Sequence, residues 1–176
     1  MTSFVLGGGC FWCLDAVYRQ IKGVVKVESG YTGGEGTPNY YRVATGKTGH
    51  AETVRVTFDE NTIPAETILD LFFVVHNPTT LNRQGADVGT QYRSAMFYQD
   101  ETQQKEFKNA LERAQKVWDN PIVTEITPLT VFYVAEEEHQ DYFRKNPESG
   151  YCSIVIEPKI IKARSHFKQW FKEGNE

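Results

Sequence analysis

Two cysteines, Cys10 and Cys13, stand in the stretch 7-GGGCFWC-13, behind three glycines and around two large aromatics. Positions at this spacing on one helix face lie roughly 5–6 Å apart, within the range a disulfide can bridge. They could form a redox pair, hold a metal ion, or fill space as small buried hydrophobes. A cysteine that follows a glycine turn and opens a helix meets unpaired N–H groups and the positive end of the helix dipole. Both favour its thiolate, so Cys10 is the better nucleophile of the pair. The glycines leave room for a substrate to approach it. Phe11 and Trp12 are core residues by default, but beside a nucleophile they could wall a pocket for a small apolar group.

Zinc would need further ligands from His50, His76 or His139, none of which has paired ligand spacing, so no metal is expected. A cysteine hydrolase or transferase would need a histidine base within reach of Cys10, and no motif pairs one with it. A thioredoxin-like exchange protein is a third class. It usually carries a Pro/Gly-type dipeptide between its cysteines, where this chain has Phe-Trp.

The third cysteine, Cys152, makes the count odd. That suits neither a secreted disulfide scaffold nor an all-cysteine structural zinc site, and points to cytosolic thiols with redox duty. The 176 residues suffice for one domain, 1–176, with 40% hydrophobic and 24% charged residues. A net charge of −4 with no basic block argues against nucleic acid. No apolar run approaches the roughly 20 residues that span a membrane. Residues 1–9 lack a charged n-region and read as a strand rather than a signal peptide. A cytoplasmic monomer is the expectation.

These residues need a scaffold. Hydrophobic periodicity predicts strands over 2–8, 24–29, 50–58 and 92–98, and helices over 10–21, 64–76 and 101–118. The order β-α-β-β-α-β followed by a helix predicts an α+β fold of the ferredoxin-like, split β-α-β kind, with helices on one face of the sheet. Beyond it come a strand near 122–126, a helix near 136–145, an extended segment at 153–156 and a covering helix over 160–171. Two polar loops, 30–39 and 77–90, are long for a compact domain and lie where they could meet the start of the first helix. The acidic run 136-EEEHQD-141 reads as a solvated helix face, and His50 as a structural histidine that could border the pocket.

Seven stretches carry a resemblance that covers nearly the whole chain. They are 7-GGGCFWC-13, 29-SGYTGG-34, 38-PNYYRVATGKTGHAETVRVTFD-59, 76-HNPTTLNRQGADVGTQYRS-94, 121-PIVTEITPL-129, 137-EEHQDYFRKNP-147 and 150-GYC-152. In this order they resemble the peptide methionine sulfoxide reductase A family. The resemblance implies reduction of the S epimer of methionine sulfoxide, free or in oxidised proteins. It implies no bound cofactor, with reducing equivalents from thioredoxin or dithiothreitol. Residue by residue, it implies Cys10 as the nucleophile on the sulfoxide sulfur and Phe11 and Trp12 as the wall for the methyl group. It implies Glu52 as the acid at the sulfoxide oxygen, Tyr40 and Tyr92 as phenol donors to that oxygen, and Asp87 as a positioning partner.

The chain departs from that pattern twice. Many family members have glycine at the position of Cys13, and many have a glycine-rich tail with a further cysteine after GYC. Here the tail 153-SIVIEPKIIKARSHF-167 contains none. The candidates for resolving a Cys10 sulfenic acid are therefore Cys13, by proximity, and Cys152, by family position. Cys13 is favoured for the first disulfide.

Overall fold

The computed structural model describes residues 1–173; residues 174–176, the end of the expected domain, lie outside them. In chain order the main elements are β1 (Thr2–Gly7), α1 (Phe11–Tyr18), β2 (Val24–Thr32), α2 (Tyr40–Ala44), β3 (Ala51–Phe58) and α3 (Ala65–Val75). There follow a small hairpin of β4 (Arg83–Gln84) and β5 (Asp87–Val88), then β6 (Ala95–Tyr98) and α4 (Glu101–Gln115). The chain ends through β7 (Glu125–Pro128), β8 (Tyr133–Val134), α5 (Tyr142–Lys145) and α6 (Glu157–Phe167).

The main sheet runs β7-β6-β1-β3-β2-β8. Its four central strands, β6-β1-β3-β2, are antiparallel neighbours in the expected split β-α-β order. β7 adds in parallel to β6, and β8 antiparallel to β2.

Strand alternation decides which residues face the helices. Phe4 and Leu6 of β1 oppose Val56 and Val54 of β3, and all four join the main core with α1, α3, α4 and α6 residues. Val5 turns the other way, into a smaller cluster with Ala51, Ala95 and Phe97. Glu52 has the parity of Val54, Val56 and Phe58, so the pleat that builds the core also carries a carboxylate to its rim, opposite Tyr31 of β2.

The covering helix expected over 160–171 is α6, Glu157–Phe167, followed by a 3₁₀ turn, and four other expected elements differ. The first helix ends at Tyr18, not Ile21, because the chain turns through Gly23 at φ +91° to enter β2. The strand expected from Tyr92 starts at Ala95, and Tyr92 closes a 3₁₀ turn, Thr90–Tyr92. The helix expected over 136–145 is a 3₁₀ turn, Glu137–His139, then short α5, with Asp141 left-handed between them at φ +53°. Cys152–Ile156 is a π-helical turn leading into α6, not an extended segment. Its β-branched residues read locally as strand, yet packing Cys152 and Ile156 into the core favours the wider turn.

The glycines of the opening stretch answer protein contacts, not a substrate, and Gly8 shows it most plainly. A Cβ on Gly8 would lie 2.9 Å from the His76 ring. That ring cannot withdraw: one nitrogen bonds the Phe72 carbonyl at 2.6 Å and the other the Ser94 hydroxyl at 2.7 Å. Burial pushes His76 down to about 3, so it is neutral at physiological pH. Gly8→Ala is expected to destabilise the fold by about 1–3 kcal/mol through overpacking. An unchanged midpoint in urea unfolding would show that the ring yields.

Candidate active site

Cys10 is the N-cap of α1, in extended conformation at φ −63° and ψ 129°. The first free N–H of that helix, at Phe11, donates to Glu52 Oε1 at 3.0 Å. The helix start therefore holds the carboxyl group, with the thiol beside it. Glu52 is 1% exposed, and burial pushes its pKa up to about 8. The Phe11 N–H opposes that rise, and the charge of Asp87 adds to it.

The Cys10 thiol is pushed well up, not down as its place at a helix start predicts. Burial is the main cause, then the charges of Glu52 and Cys13, and the Trp12 N–H offsets only part. An eight-residue helix with its leading N–H already engaged cannot outweigh removal from water. The resting pair at pH 7 is thus a thiol beside a neutral carboxylic acid.

Around this pair the structure collects the other expected residues. Tyr40 opens α2, its ring stacked 6.3 Å from Trp12 and 6.4 Å from Phe11. Gly9 N–H donates to the Tyr92 carbonyl at 3.2 Å, which brings the 3₁₀ turn against the start of α1. Both phenols are raised, first by burial and then by the charges of Glu52 and Cys10, so both remain proton donors. Asp87, on β5, accepts from the Tyr151 hydroxyl at 2.8 Å. The residues that follow the two long loops, Tyr40 and Tyr92, meet the helix start. Phe11 is fully buried and packs on Tyr31 at 5.5 Å, whereas Trp12 is half-buried and offers its ring to the site.

The three thiols are free and buried. Cys13 lies 3.9 Å from the Tyr151 hydroxyl, and Cys152 is the first residue of the π turn, 0% exposed. His50 bonds Gly34 N–H at 3.2 Å and the Gly36 carbonyl at 2.9 Å, so it closes the 30–39 loop. His76 is taken by Phe72 and Ser94, and His139 accepts from Trp12 Nε1 at 3.2 Å. None of these serves Cys10 as a base. Among the described residues, no three His, Cys, Asp or Glu side chains converge on a metal-sized site.

Three aromatics of the site were not predicted for it. Tyr142 stacks on Trp12 at 3.6 Å with 4° between the planes, His139 packs on Tyr40 at 4.2 Å, and Tyr151 meets Trp12 edge-on at 5.6 Å. Their signal was the company of His139 and Tyr142 in one short segment and of Tyr151 beside Cys152. The run 136-EEEHQD-141 is solvated only in part: Glu137 and Glu138 are exposed, but Glu136, His139 and Gln140 turn inward. Glu136 accepts from the Tyr31 hydroxyl and from Tyr40 N–H, each at 2.8 Å, and Gln140 bonds both the N–H and the carbonyl of Ser29. Buried Asp15 of α1 accepts from Ser29 Oγ at 3.0 Å and Asp141 N–H at 3.1 Å. These bonds seat His139 and Tyr142 on the helix that carries both cysteines.

A buried thiol, a neutral acid and two phenols around an aromatic wall, on this fold, are the features of an oxidoreductase site. The family model described as peptide methionine sulfoxide reductase matches residues 2–171. The peptide methionine sulfoxide reductase MsrA of Pseudarthrobacter chlorophenolicus is 61% identical over 171 residues, 97% of this chain and 98% of that protein. Mxr1 from Saccharomyces cerevisiae in reduced form is 39% identical with a TM-score of 0.82, over 86% of this chain and 88% of that one. Mxr1 in complex with Trx2 matches at 28% identity and a TM-score of 0.58, over 80% of this chain and 84% of that one. The chain belongs to the peptide methionine sulfoxide reductase family, and it is an enzyme of the MsrA type.

Proposed function

We propose that the protein reduces methionine-S-sulfoxide, free and in oxidised proteins, through a Cys10 sulfenic acid and an intramolecular disulfide that thioredoxin reduces. The observation that carries this reading is the buried, neutral Glu52 beside the Cys10 thiol. A sulfoxide oxygen leaves only once protonated, and a carboxylic acid with a pKa near 8 supplies that proton at pH 7. Tyr40 and Tyr92 donate to the same oxygen without adding a base. As Cys10 attacks sulfur, its own proton passes to Glu52 and restores the acid. The oxygen ends on Cys10, the substrate sulfur is reduced by two electrons to the thioether, and Cys10 is oxidised to the sulfenic acid.

A second thiol condenses with that sulfenic acid, releasing water and forming a disulfide. Cys13 is one helical turn away on the same rigid helix. Cys152 lies in the core at the π turn, beside Tyr151, whose hydroxyl is bonded to Asp87. Moving it to Cys10 would disturb both, so Cys13 closes the first disulfide and Cys152 serves a later exchange. Thioredoxin or dithiothreitol then restores the thiols by exchange. The solved relative in complex with Trx2 supports a thioredoxin as reductant. Repair of oxidised proteins by a monomer in the cytoplasm completes the proposal.

Stereochemistry tests it. With the oxygen on Glu52 and the phenols, the methyl of the S epimer meets Trp12, which the fully buried Phe11 backs from beneath. The R epimer exchanges the two and sets a polar oxygen against the aromatic wall. Discrimination of at least ~10²-fold in kcat/KM is expected with dithiothreitol as reductant. Equal turnover of both epimers would sink the assignment.

A further inference from the structure

We propose that Gln91 is a positioning residue that fixes the Tyr40 phenol against Tyr92 at the sulfoxide oxygen; this rests on the sulfoxide-reduction reading above. The two phenols sit on segments far apart in sequence, Tyr40 at the head of α2 and Tyr92 at the end of the Thr90–Tyr92 turn. Neither segment is long: α2 has 5 residues and the turn 3. Such short pieces have little internal stiffness, so their spacing depends on what ties them.

The ties are visible. Gln91 Nε2 donates to the Ala44 carbonyl at 3.3 Å, and Thr90 Oγ1 to the Gly46 carbonyl at 3.1 Å. Both bonds run from the turn that carries Tyr92 to the tail of the helix that carries Tyr40. The head of that helix is held by the bond from Tyr40 N–H to Glu136. The helix is thus gripped at both ends, and only the tail grip comes from the segment bearing the other phenol. Gln91 is 4% exposed, its Oε1 has no hydrogen-bond partner, and its amide sits against two glycines, Gly89 and Gly46. A Cβ on Gly89 would lie 2.2 Å from its Oε1, and one on Gly46 at 3.3 Å. The link between the two segments is therefore the pair of bonds to Ala44 and Gly46, with Gly46 leaving room for the Gln91 amide.

Phenol donors act only if they are aimed at the same atom, so a displacement of about 1 Å costs turnover more than binding. Gln91→Met keeps the side-chain length and removes the amide. It is expected to lower kcat by about 10–100-fold with KM within about twofold. The decisive comparison repeats the substitution in a Tyr40→Phe background. If Gln91 acts by aiming that phenol, its loss there should cost less than about twofold, because coupled residues are not additive. An equal loss in both backgrounds, or no loss in the first, overturns the proposal. Cys10 alkylation by iodoacetamide reports whether the site is folded. Should Gln91→Met fail to fold, Thr90→Val is judged by the same criterion. A wild type inactive on the sulfoxide would remove the underlying reading, whereas an active wild type with additive losses removes this inference alone.

Discussion

Glu52→Gln is expected to lower kcat/KM for methionine-S-sulfoxide by about 10²–10⁴-fold at pH 7, the usual worth of a general acid. The amide keeps the shape and can still accept from Phe11 N–H, but it has no proton to give the leaving oxygen. Cys10 should still be alkylated in this variant, since the thiol is untouched. The pH profile makes the test sharper. Wild-type kcat/KM should be level below about pH 8 and fall above it, as the carboxyl ionises and the proton donor is lost. The variant should lack that descending limb. Wild-type turnover in Glu52→Gln would remove Glu52 from the mechanism.

Stability should move with the same proton. In the folded chain Glu52 holds its proton up to about pH 8, whereas the unfolded chain releases it near the ordinary 4.5. Between those values the folded state binds more protons, so this residue's contribution to stability falls as pH rises. It is fully present below about 4.5 and lost through about 8. Relative to wild type, Glu52→Gln should therefore gain stability across that window and level off above it. For so buried a group the gain is on the order of 4 kcal/mol. Urea midpoints of both proteins at pH 5, 7 and 9 would show whether the gap opens with this sign.

Cys13→Ser should separate chemistry from recycling. One sulfoxide per Cys10 should still be reduced at near wild-type rate, because Cys13 takes no part in oxygen transfer. Steady-state turnover should fall by roughly 10²-fold, since the sulfenic acid loses its neighbour one helical turn away. Cys152→Ser should leave the first disulfide intact. Mass mapping after one turnover is the direct measurement. A Cys10–Cys152 bond with Cys13 free would reverse the order of the two thiols. The structural reason for expecting otherwise is the packing of the π turn: Cys152 and Ile156 are both 0% exposed, and Tyr151 is tied to Asp87.

Much of the scaffold was legible in the chain. The β1-α1-β2-β3 and α3-β6-α4 segments carry strong hydrophobic periodicity, and the split β-α-β order follows from it. The errors fall where short local signals compete with packing. Cys152–Ile156 has β-branched residues yet coils, because its buried partners lie on α1 and α6. The 136-EEEHQD-141 run looked solvated because acidic residues usually are, yet Tyr31 and the Tyr40 N–H claim Glu136.

By itself, the sequence offered the candidate groups: a thiol at a helix start from its spacing, and Glu52, Tyr40 and Tyr92 through the family resemblance. Only the tertiary structure decided their ionisation. Position at a helix start argued for a Cys10 thiolate, but burial reverses that sign and makes Glu52 the neutral acid. The reason is that helix position is a local property readable from spacing, whereas desolvation depends on everything packed around the group. The same holds for the grip of Gln91 on α2 and of Asp87 on Tyr151, which join residues 47 and 64 positions apart.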